Sequence, residues 1–192
     1  MTEALDDKQL RRIRLRFVDV LRSFFMEEPH AENRSRWRGT FAALAEQPVS
    51  PDLDKAILQL TQLLAGKNPN EIREEYYQLF INPYGDGIIE TSLSAYIDGH
   101  NYGPVLARLR DLLKEAGIAR MTAITDSEDT LVVMLDLLAT LIETEPGTRI
   151  YQDWLIIEYL QPLSWYFGEV LKKDKRAVFY AACADFLQGY MN

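Results

Sequence analysis

Apolar residues recur along this chain at steps of three and four positions, which is the spacing of one face of an α-helix. Residues 8–26 form the first such segment, and Pro29 follows it as a helix terminator. The arginines of this segment mostly occupy the other faces, and a solvated helix surface is the favoured interpretation of them. The apolar positions are Leu10, Ile13, Phe17, Leu21 and Phe24.

Helix start signals divide the next part of the chain. Ser50 followed by Pro51 combines a capping hydroxyl with a residue suited to the first helical position. Asn68-Pro69-Asn70-Glu71 repeats the device, with Glu71 placed to complete a capping box. Helices are therefore predicted over residues 34–46, from 51 to 66, and from 69 to the position before Pro83.

Residues 82–101 interrupt the helical periodicity. The stretch contains Pro83 and three glycines, and a connection of this length inside a compact domain is uncommon. It also contains Ile88, Ile89, Leu93 and Tyr96, which are apolar enough to pack. Two interpretations stay open: a functional connection, or a poorly ordered surface loop.

The second half returns to helical spacing. Helices are predicted from Pro104 to Gly117 and from 128 to 143, and the latter is apolar nearly all round, so it should be central. Residues 150–171 are also apolar, and Pro162 predicts a kink or break there. Asp174 is expected to cap a last helix. The pattern predicts an all-α protein, a single-domain bundle of seven to eight helices over residues 1–192.

Charge and composition narrow the function. The chain carries a net charge of −8, so nucleic acid is disfavoured as a partner, while a basic segment of a protein would be attracted. The single cysteine, Cys183, is interpreted as a small core residue, and with His30 and His100 it leaves too few ligands for structural zinc. We predict no metal and no cofactor. No export signal and no apolar run of membrane-spanning length is recognised, so we expect a cytoplasmic protein without stable membrane insertion.

Catalytic motifs are not recognised in the sequence. Neither histidine belongs to a nucleophile–base arrangement, and no glycine-rich phosphate loop occurs, so we do not expect an enzyme. Asp129 stands where a connector meets the most apolar helix, and a carboxylate there could receive a guanidinium from a ligand. Tyrosines near the irregular stretch suit a peptide-binding groove because each has an apolar body and a polar tip. Carboxylates predicted to add to an acidic rim are Glu74, Glu75 and Glu90.

Four segments in order resemble the TorD/DmsD/NarJ chaperones, redox-enzyme maturation proteins that serve molybdenum enzymes. Residues 75–80 (EYYQLF) with Pro83 resemble their Y-x-x-L-F…P segment. Residues 94–103 resemble S-x-Y…G…G, residues 126–130 stand in the place of the E-P-x-D-H connector, and residues 159–167 in the place of H-L-x-P-W…F. The chain departs from these patterns at Ser127, Thr130, Tyr159 and Leu163.

The resemblance implies an all-helical, TorD-like fold and a non-enzymatic chaperone. Such a protein binds an apo-molybdoenzyme subunit, often through its twin-arginine signal peptide, until the cofactor is inserted. The alternative is a helical binding or regulatory module for another protein or an apolar small ligand. A monomer or a domain-swapped homodimer is expected. The residues predicted to bind the partner are Tyr76, Leu79, Phe80, Pro83, Tyr84, Glu90, Ser94, Tyr96, Asp126, Asp129 and Thr130.

Overall fold

A computed structural model describes residues 6–84, 86–118 and 126–192 of the chain. Over these ranges the protein is all-α, as predicted, with one isolated antiparallel bridge between Ser92 and Thr130 in place of any strand. The α-helices are α1 (Asp7–Phe25), α2 (Ala31–Leu44), α3 (Pro51–Gly66), α4 (Pro69–Tyr76), α5 (Leu93–Ile97), α6 (Pro104–Glu115), α7 (Leu131–Glu143), α8 (Arg149–Leu155), α9 (Gln161–Lys173) and α10 (Phe179–Met191).

Two π-helical segments join this set. Tyr77–Ile81 continues α4, and Ile156–Leu160 connects α8 to α9 without a break. The described residues therefore form nine continuous helices, one more than the upper prediction. The addition is α5, which lies inside the stretch that lacked helical periodicity.

The predicted starts of α3 and α4 are confirmed, whereas Asp174 does not cap the last helix, which begins at Phe179. The Ser50 hydroxyl accepts a hydrogen bond from the Leu53 amide at 3.4 Å. Asn68 and Glu71 form the expected capping box, in which Glu71 accepts from the Asn68 amide at 3.2 Å. Local side-chain chemistry is sufficient to place these boundaries because the capping partners are three residues apart.

Pro162 does not break its helix, so of the two predicted alternatives, a kink or a break, the break is wrong. It is the second residue of α9 and follows directly on the π-helical segment Ile156–Leu160. Proline cannot donate to the carbonyl four residues earlier and its ring crowds that position. The wider π turn in front of it accommodates this missing hydrogen bond, so the helix continues.

The stretch after Pro83 packs rather than remaining a poorly ordered loop. Ile89 and Leu93 are buried, and the Ile89 amide donates to the Leu79 carbonyl at 2.7 Å. The free energy gained by burying these apolar side chains exceeds the cost of ordering the glycines, so the chain follows a fixed path here.

The contacts within the chain define two compact units. Unit 1 takes its described residues from Met1–Arg22 and Ser92–Pro162, and unit 2 takes its residues from Ser23–Thr91 and Leu163–Asn192. The unit boundaries fall within α1 and α9, so each of these helices has residues in both units. The single-domain organisation stays a prediction.

Helix α7 supplies the core of unit 1. Its side chains at Leu131, Met134, Leu135 and Leu138 are fully buried, as its apolar sequence predicted. The arginines of α1 are less solvated than expected. Arg14 donates to the Glu145 carboxylate at 2.7 Å and to Gln152 at 2.6 Å, because the α1 face that carries it lies against unit 1 residues.

Aromatic rings fill the core of unit 2. Phe24 and Trp37 have ring centroids 4.9 Å apart, and Trp37 donates its indole N–H to the Ser23 hydroxyl at 2.8 Å. Cys183 is buried in α10, which confirms its interpretation as a core residue, and burial raises the pKa of its thiol. None of the helices in the described ranges combines the length and apolarity needed to cross a membrane.

Candidate functional site

The predicted partner-binding residues fall in both units, and each group is described within its own unit. Unit 2 contains the residues of the Y-x-x-L-F…P segment and the following turn. Unit 1 contains those of α5 and of the connector before α7. The unit 2 group is Tyr76, Leu79, Phe80, Pro83, Tyr84 and Glu90, and the unit 1 group is Ser94, Tyr96, Asp126, Asp129 and Thr130.

The first two members of the unit 2 group belong to its core. Leu79 is fully buried, and Tyr76 is 5% exposed with its hydroxyl donating to the Phe25 carbonyl at 3.3 Å. Burial raises the pKa of Tyr76 to about 12, and the nearby carboxylates of Glu27 and Glu28 add to the effect. Both side chains position the segment and have little surface for a partner.

Phe80 lies at the margin of this core. It is half-buried, and its ring stacks on Phe167 with centroids 6.2 Å apart and meets Tyr76 at 5.1 Å. One side of the ring is therefore anchored while part of it remains at the surface.

The exposed part of the same segment is a run of apolar side chains that we call the Tyr84 surface. Tyr84 has the largest exposure, 81%, and Tyr77, Ile81 and Ile88 are each at least two-fifths exposed. Pro83 is also exposed. Only Pro83 and Tyr84 were predicted as site residues. The others were not predicted, although Tyr77 and Ile81 are apolar residues that lie off the inward stripe of this helix. The Tyr84 surface comprises Tyr77, Ile81, Pro83, Tyr84 and Ile88.

Arg176 holds the two parts of this surface together. Its guanidinium donates to the Gln78 carbonyl at 2.8 Å and to the Gly87 carbonyl at 3.0 Å, joining the π-helical segment to the returning chain. Asp174 accepts from the same guanidinium at 2.6 Å, which holds the pKa of Asp174 below its ordinary value. The planar fork of arginine allows these contacts to be made at once.

Carboxylates accompany the Tyr84 surface. Glu74, Asp86 and Glu90 are exposed, and the sequence has no lysine or arginine between positions 74 and 91. The positive charge of Arg176 is offset by Asp174. Within positions 74–91 the charged side chains are therefore all carboxylates.

Glu75 does not join the acidic rim, contrary to the sequence prediction. It is 6% exposed, and one of its oxygens accepts from the backbone amides of Val178 and Tyr180 at 2.7 and 2.8 Å. The other accepts from Lys67 at 3.0 Å. Glu75 faces inward because the start of α10 needs an acceptor for its unpaired amides.

Asp129 is also inaccessible. It is fully buried, and its carboxylate accepts from the Ser94 amide at 2.8 Å and from the Ser127 hydroxyl. Its backbone carbonyl accepts from the Leu93 amide at 3.0 Å. In this arrangement Asp129 fastens the connector to the start of α5, and a partner's guanidinium has no access to it. A role of Asp129 in partner binding stays a prediction, and such a role would be indirect, through the position of the connector.

The remaining unit 1 residues have varied environments. Ser94 is fully buried, Tyr96 and Thr130 are half-buried, and Asp126 is exposed. Thr130 precedes α7, and its hydroxyl donates to the Ser127 carbonyl at 3.0 Å. Asp126 is thus the exposed carboxylate of this group.

An ion pair that sequence reasoning missed stands beside this connector. Arg110 on α6 donates through two nitrogens to the Glu128 carboxylate, at 2.8 and 3.1 Å. The side chain of Arg110 is 43% exposed and that of Glu128 only 10%. No sequence signal links these positions, since they lie eighteen residues apart across the connector.

No group of three or more histidine, cysteine, aspartate or glutamate side chains arranged to hold a metal ion occurs among the described residues.

Comparison with known proteins defines the class of molecule. Residues 46–156, more than half of the chain, match the family model of the nitrate reductase delta subunit. The chain therefore belongs to this family of NarJ/TorD-type proteins, which are redox enzyme maturation chaperones and not a family of catalytic enzymes.

A solved structure supports the fold. A candidate redox enzyme maturation protein from Archaeoglobus fulgidus superimposes with a TM-score of 0.52 over 93% of each chain, at 19% sequence identity. This similarity confirms the predicted all-α, TorD-like architecture. No curated protein shows significant sequence similarity to the chain.

Proposed function

We propose that this chaperone binds an apo-molybdoenzyme catalytic subunit, its twin-arginine signal peptide, or both, in the cytoplasm during cofactor insertion and assembly. The observation that carries the proposal is the Tyr84 surface, an exposed apolar face flanked by Glu74, Asp86 and Glu90. The oligomeric state, a monomer or a domain-swapped homodimer, stays a prediction.

The chemistry of such a signal peptide matches this surface. It has a basic n-region followed by an apolar h-region, so one part is attracted by carboxylates and the other gains from contact with Tyr84 and Ile81. Tyr77, Ile81, Pro83, Tyr84 and Ile88 place five exposed apolar residues within one short segment, a concentration that a bound partner would cover. The net charge of −8 adds a long-range attraction for the basic region.

The fixed shape of the surface also supports the proposal. Arg176 ties the chain at Gly87 to the π-helical segment, so the exposed rings are held in place before a partner arrives. Pre-organised side chains lose less conformational entropy on binding. A flexible peptide still has to be ordered, so dissociation constants on the order of micromolar are expected.

Isothermal titration calorimetry with a synthetic twin-arginine signal peptide tests the proposal. Tyr84→Ala is expected to weaken binding about tenfold, the effect of losing an aromatic contact residue worth about 1–2 kcal/mol. Asp86→Asn is expected to weaken it by a smaller factor that disappears at high salt, because exposed charges are screened. A twin-lysine version of the peptide should bind more weakly, since lysine lacks the bidentate geometry of arginine.

The matched control is Leu58→Ala on α3, which removes another apolar side chain that is 56% exposed. It should leave the affinity unchanged. The proposal is abandoned if neither the signal peptide nor the purified apo-subunit of the molybdoenzyme encoded beside this chain binds at high micromolar concentration. Equal affinities for the wild-type protein, Tyr84→Ala and Leu58→Ala would instead remove the Tyr84 surface from the site.

A further inference from the structure

Tyr102 in unit 1 adopts a backbone conformation that tyrosine avoids. Its φ angle is +64°, which makes it the non-glycine residue with positive φ within the described ranges. The left-handed region brings the Cβ atom too close to the backbone, so a bulky residue there is strained where glycine or asparagine is not. The strain is tolerated only where the surrounding structure enforces it.

Neighbouring contacts enforce this conformation. The Asp98 carboxylate accepts from the Val105 amide at 2.9 Å and so caps the start of α6. A methyl group on Gly103 would overlap that carboxylate, so the chain must pass close to it at this point. On the other side, the Ser92 hydroxyl bonds the side chain of Asn101. Residue 102 therefore lies in a turn that is fastened at both ends.

The ring of Tyr102 contributes little to the fold in return. Its side chain is 71% exposed, so it buries only a small part of the apolar area that a core tyrosine would bury. A residue that costs backbone strain and buries little surface is not explained by stability. The exposed side chain therefore indicates a contact with another molecule.

Close to Tyr102 in sequence, unit 1 exposes a second large apolar side chain. Ile97, at the end of α5, is 45% exposed, which adds apolar area in the same unit. The pKa of Arg110 is raised, chiefly by its hydrogen bond to Glu128 and in smaller part by the nearby Tyr102 phenol. The ring thus lies near an arginine whose charge Glu128 already offsets, beside the connector before α7.

We infer that Tyr102 is a client-contact residue, whose ring packs against an apolar side chain of the bound polypeptide. The inference rests on the proposed function and extends it to unit 1. A polypeptide fits better than a small ligand because the ring lies on the protein surface, where one face of it can contact an extended chain. A tyrosine held at a fixed backbone angle has few conformations to lose on binding, and aromatic rings of this kind are enriched at interfaces.

The test compares Tyr102→Asn, Tyr102→Phe and Leu58→Ala in two measurements. The first is the thermal unfolding midpoint, and the second is the affinity for the purified apo-subunit of the molybdoenzyme encoded beside this chain. Asparagine tolerates the left-handed region, so Tyr102→Asn should unfold at the same or a higher temperature than wild type. Its affinity should fall about fivefold or more. Tyr102→Phe keeps the ring and should retain the affinity, as should Leu58→Ala.

Three results would overturn the inference. Unchanged affinity of Tyr102→Asn for a client that the wild-type protein binds removes Tyr102 alone and leaves the proposed function standing. A large loss of thermal stability in Tyr102→Asn shows that the ring serves the fold. Absence of binding of both the apo-subunit and the signal peptide by the wild-type protein removes this inference together with the proposed function, whereas in the first case the wild-type protein still binds.

Discussion

Individual side chains in this protein divide between those that hold the chain and those that face outward, and the division does not follow residue type. Asp126 and Asp129 are three positions apart, yet the first is exposed and the second is fully buried. Glu74 and Glu75 are adjacent, and Glu74 is exposed whereas Glu75 is buried. Asp129 and Glu75 both accept hydrogen bonds from backbone amides, and an unpaired buried donor would be costly.

Asp129→Ala is expected to lower the free energy of unfolding by about 3 kcal/mol, since the Ser94 amide and the Ser127 hydroxyl then lose their buried acceptor. Urea unfolding followed by circular dichroism measures the change. Asp126→Ala, on the exposed neighbour, should stay within about 0.5 kcal/mol of wild type. Similar values for the two variants would contradict the buried positioning role of Asp129.

Helices in this chain end and begin with help from distant parts of the sequence as well as from local caps. Ser50 and Asn68 cap their own helices, and such signals are readable from the sequence. The start of α10 is capped by Glu75, which comes from α4 more than one hundred residues earlier. The π-helical segments are a second departure from local rules, since both replace turns that α-helical spacing predicts.

Glu75→Ala should destabilise the protein by about 3 kcal/mol, because it leaves two amides at the start of α10 and the Lys67 ammonium without their acceptor. Glu75→Gln should fall between wild type and the alanine variant, since its amide oxygen still accepts a hydrogen bond. Chemical denaturation of the three proteins gives the comparison. Glu74→Ala is the matched control, and a loss as large as that of Glu75→Ala would refute the cap.

The whole molecule carries excess negative charge, yet its stability depends on keeping particular carboxylates ionised. Burial tends to raise the pKa of Glu145, but hydrogen bonds from Arg14 and Gln152 prevail and the pKa is lowered. The pKa of Asp174 is lowered by the hydrogen bonds from Arg176. A group with a lowered pKa in the folded state stabilises it above the unfolded pKa and loses that contribution as the pH falls through the folded value.

Stability is therefore expected to fall as the pH drops below the ordinary pKa values, which are 4.5 for Glu145 and 3.8 for Asp174. Free energies of unfolding measured in urea from pH 6 to about pH 3 should show this decline. Arg176→Gln should be less stable at neutral pH and show a shallower decline, because Asp174 then has no charged partner to lose. An identical slope in wild type and Arg176→Gln would exclude this ion pair as a source of the acid sensitivity.

The sequence by itself determined the all-α class, the starts of α3 and α4 and the apolar character of α7. These depend on interactions between residues at most four positions apart, or on the periodicity of a single helix. The ordered segments that resemble the TorD/DmsD/NarJ chaperones also indicated the family that the family model identifies. Of the residues predicted to bind a partner, Pro83, Tyr84, Glu90 and Asp126 are exposed, and their part in binding stays a prediction.

Tertiary structure decided which residues of that region a partner can reach. Tyr76 and Leu79 are buried in the aromatic core of unit 2. Asp129 is buried where it accepts a hydrogen bond from the Ser94 amide of α5. The residue type alone could not indicate whether these side chains are exposed. Arg176 joins the Gln78 and Gly87 carbonyls, a contact between segments far apart in sequence that local patterns do not indicate. These outcomes depend on hydrogen bonds and packing between residues far apart in sequence, where periodicity and local propensity carry no information.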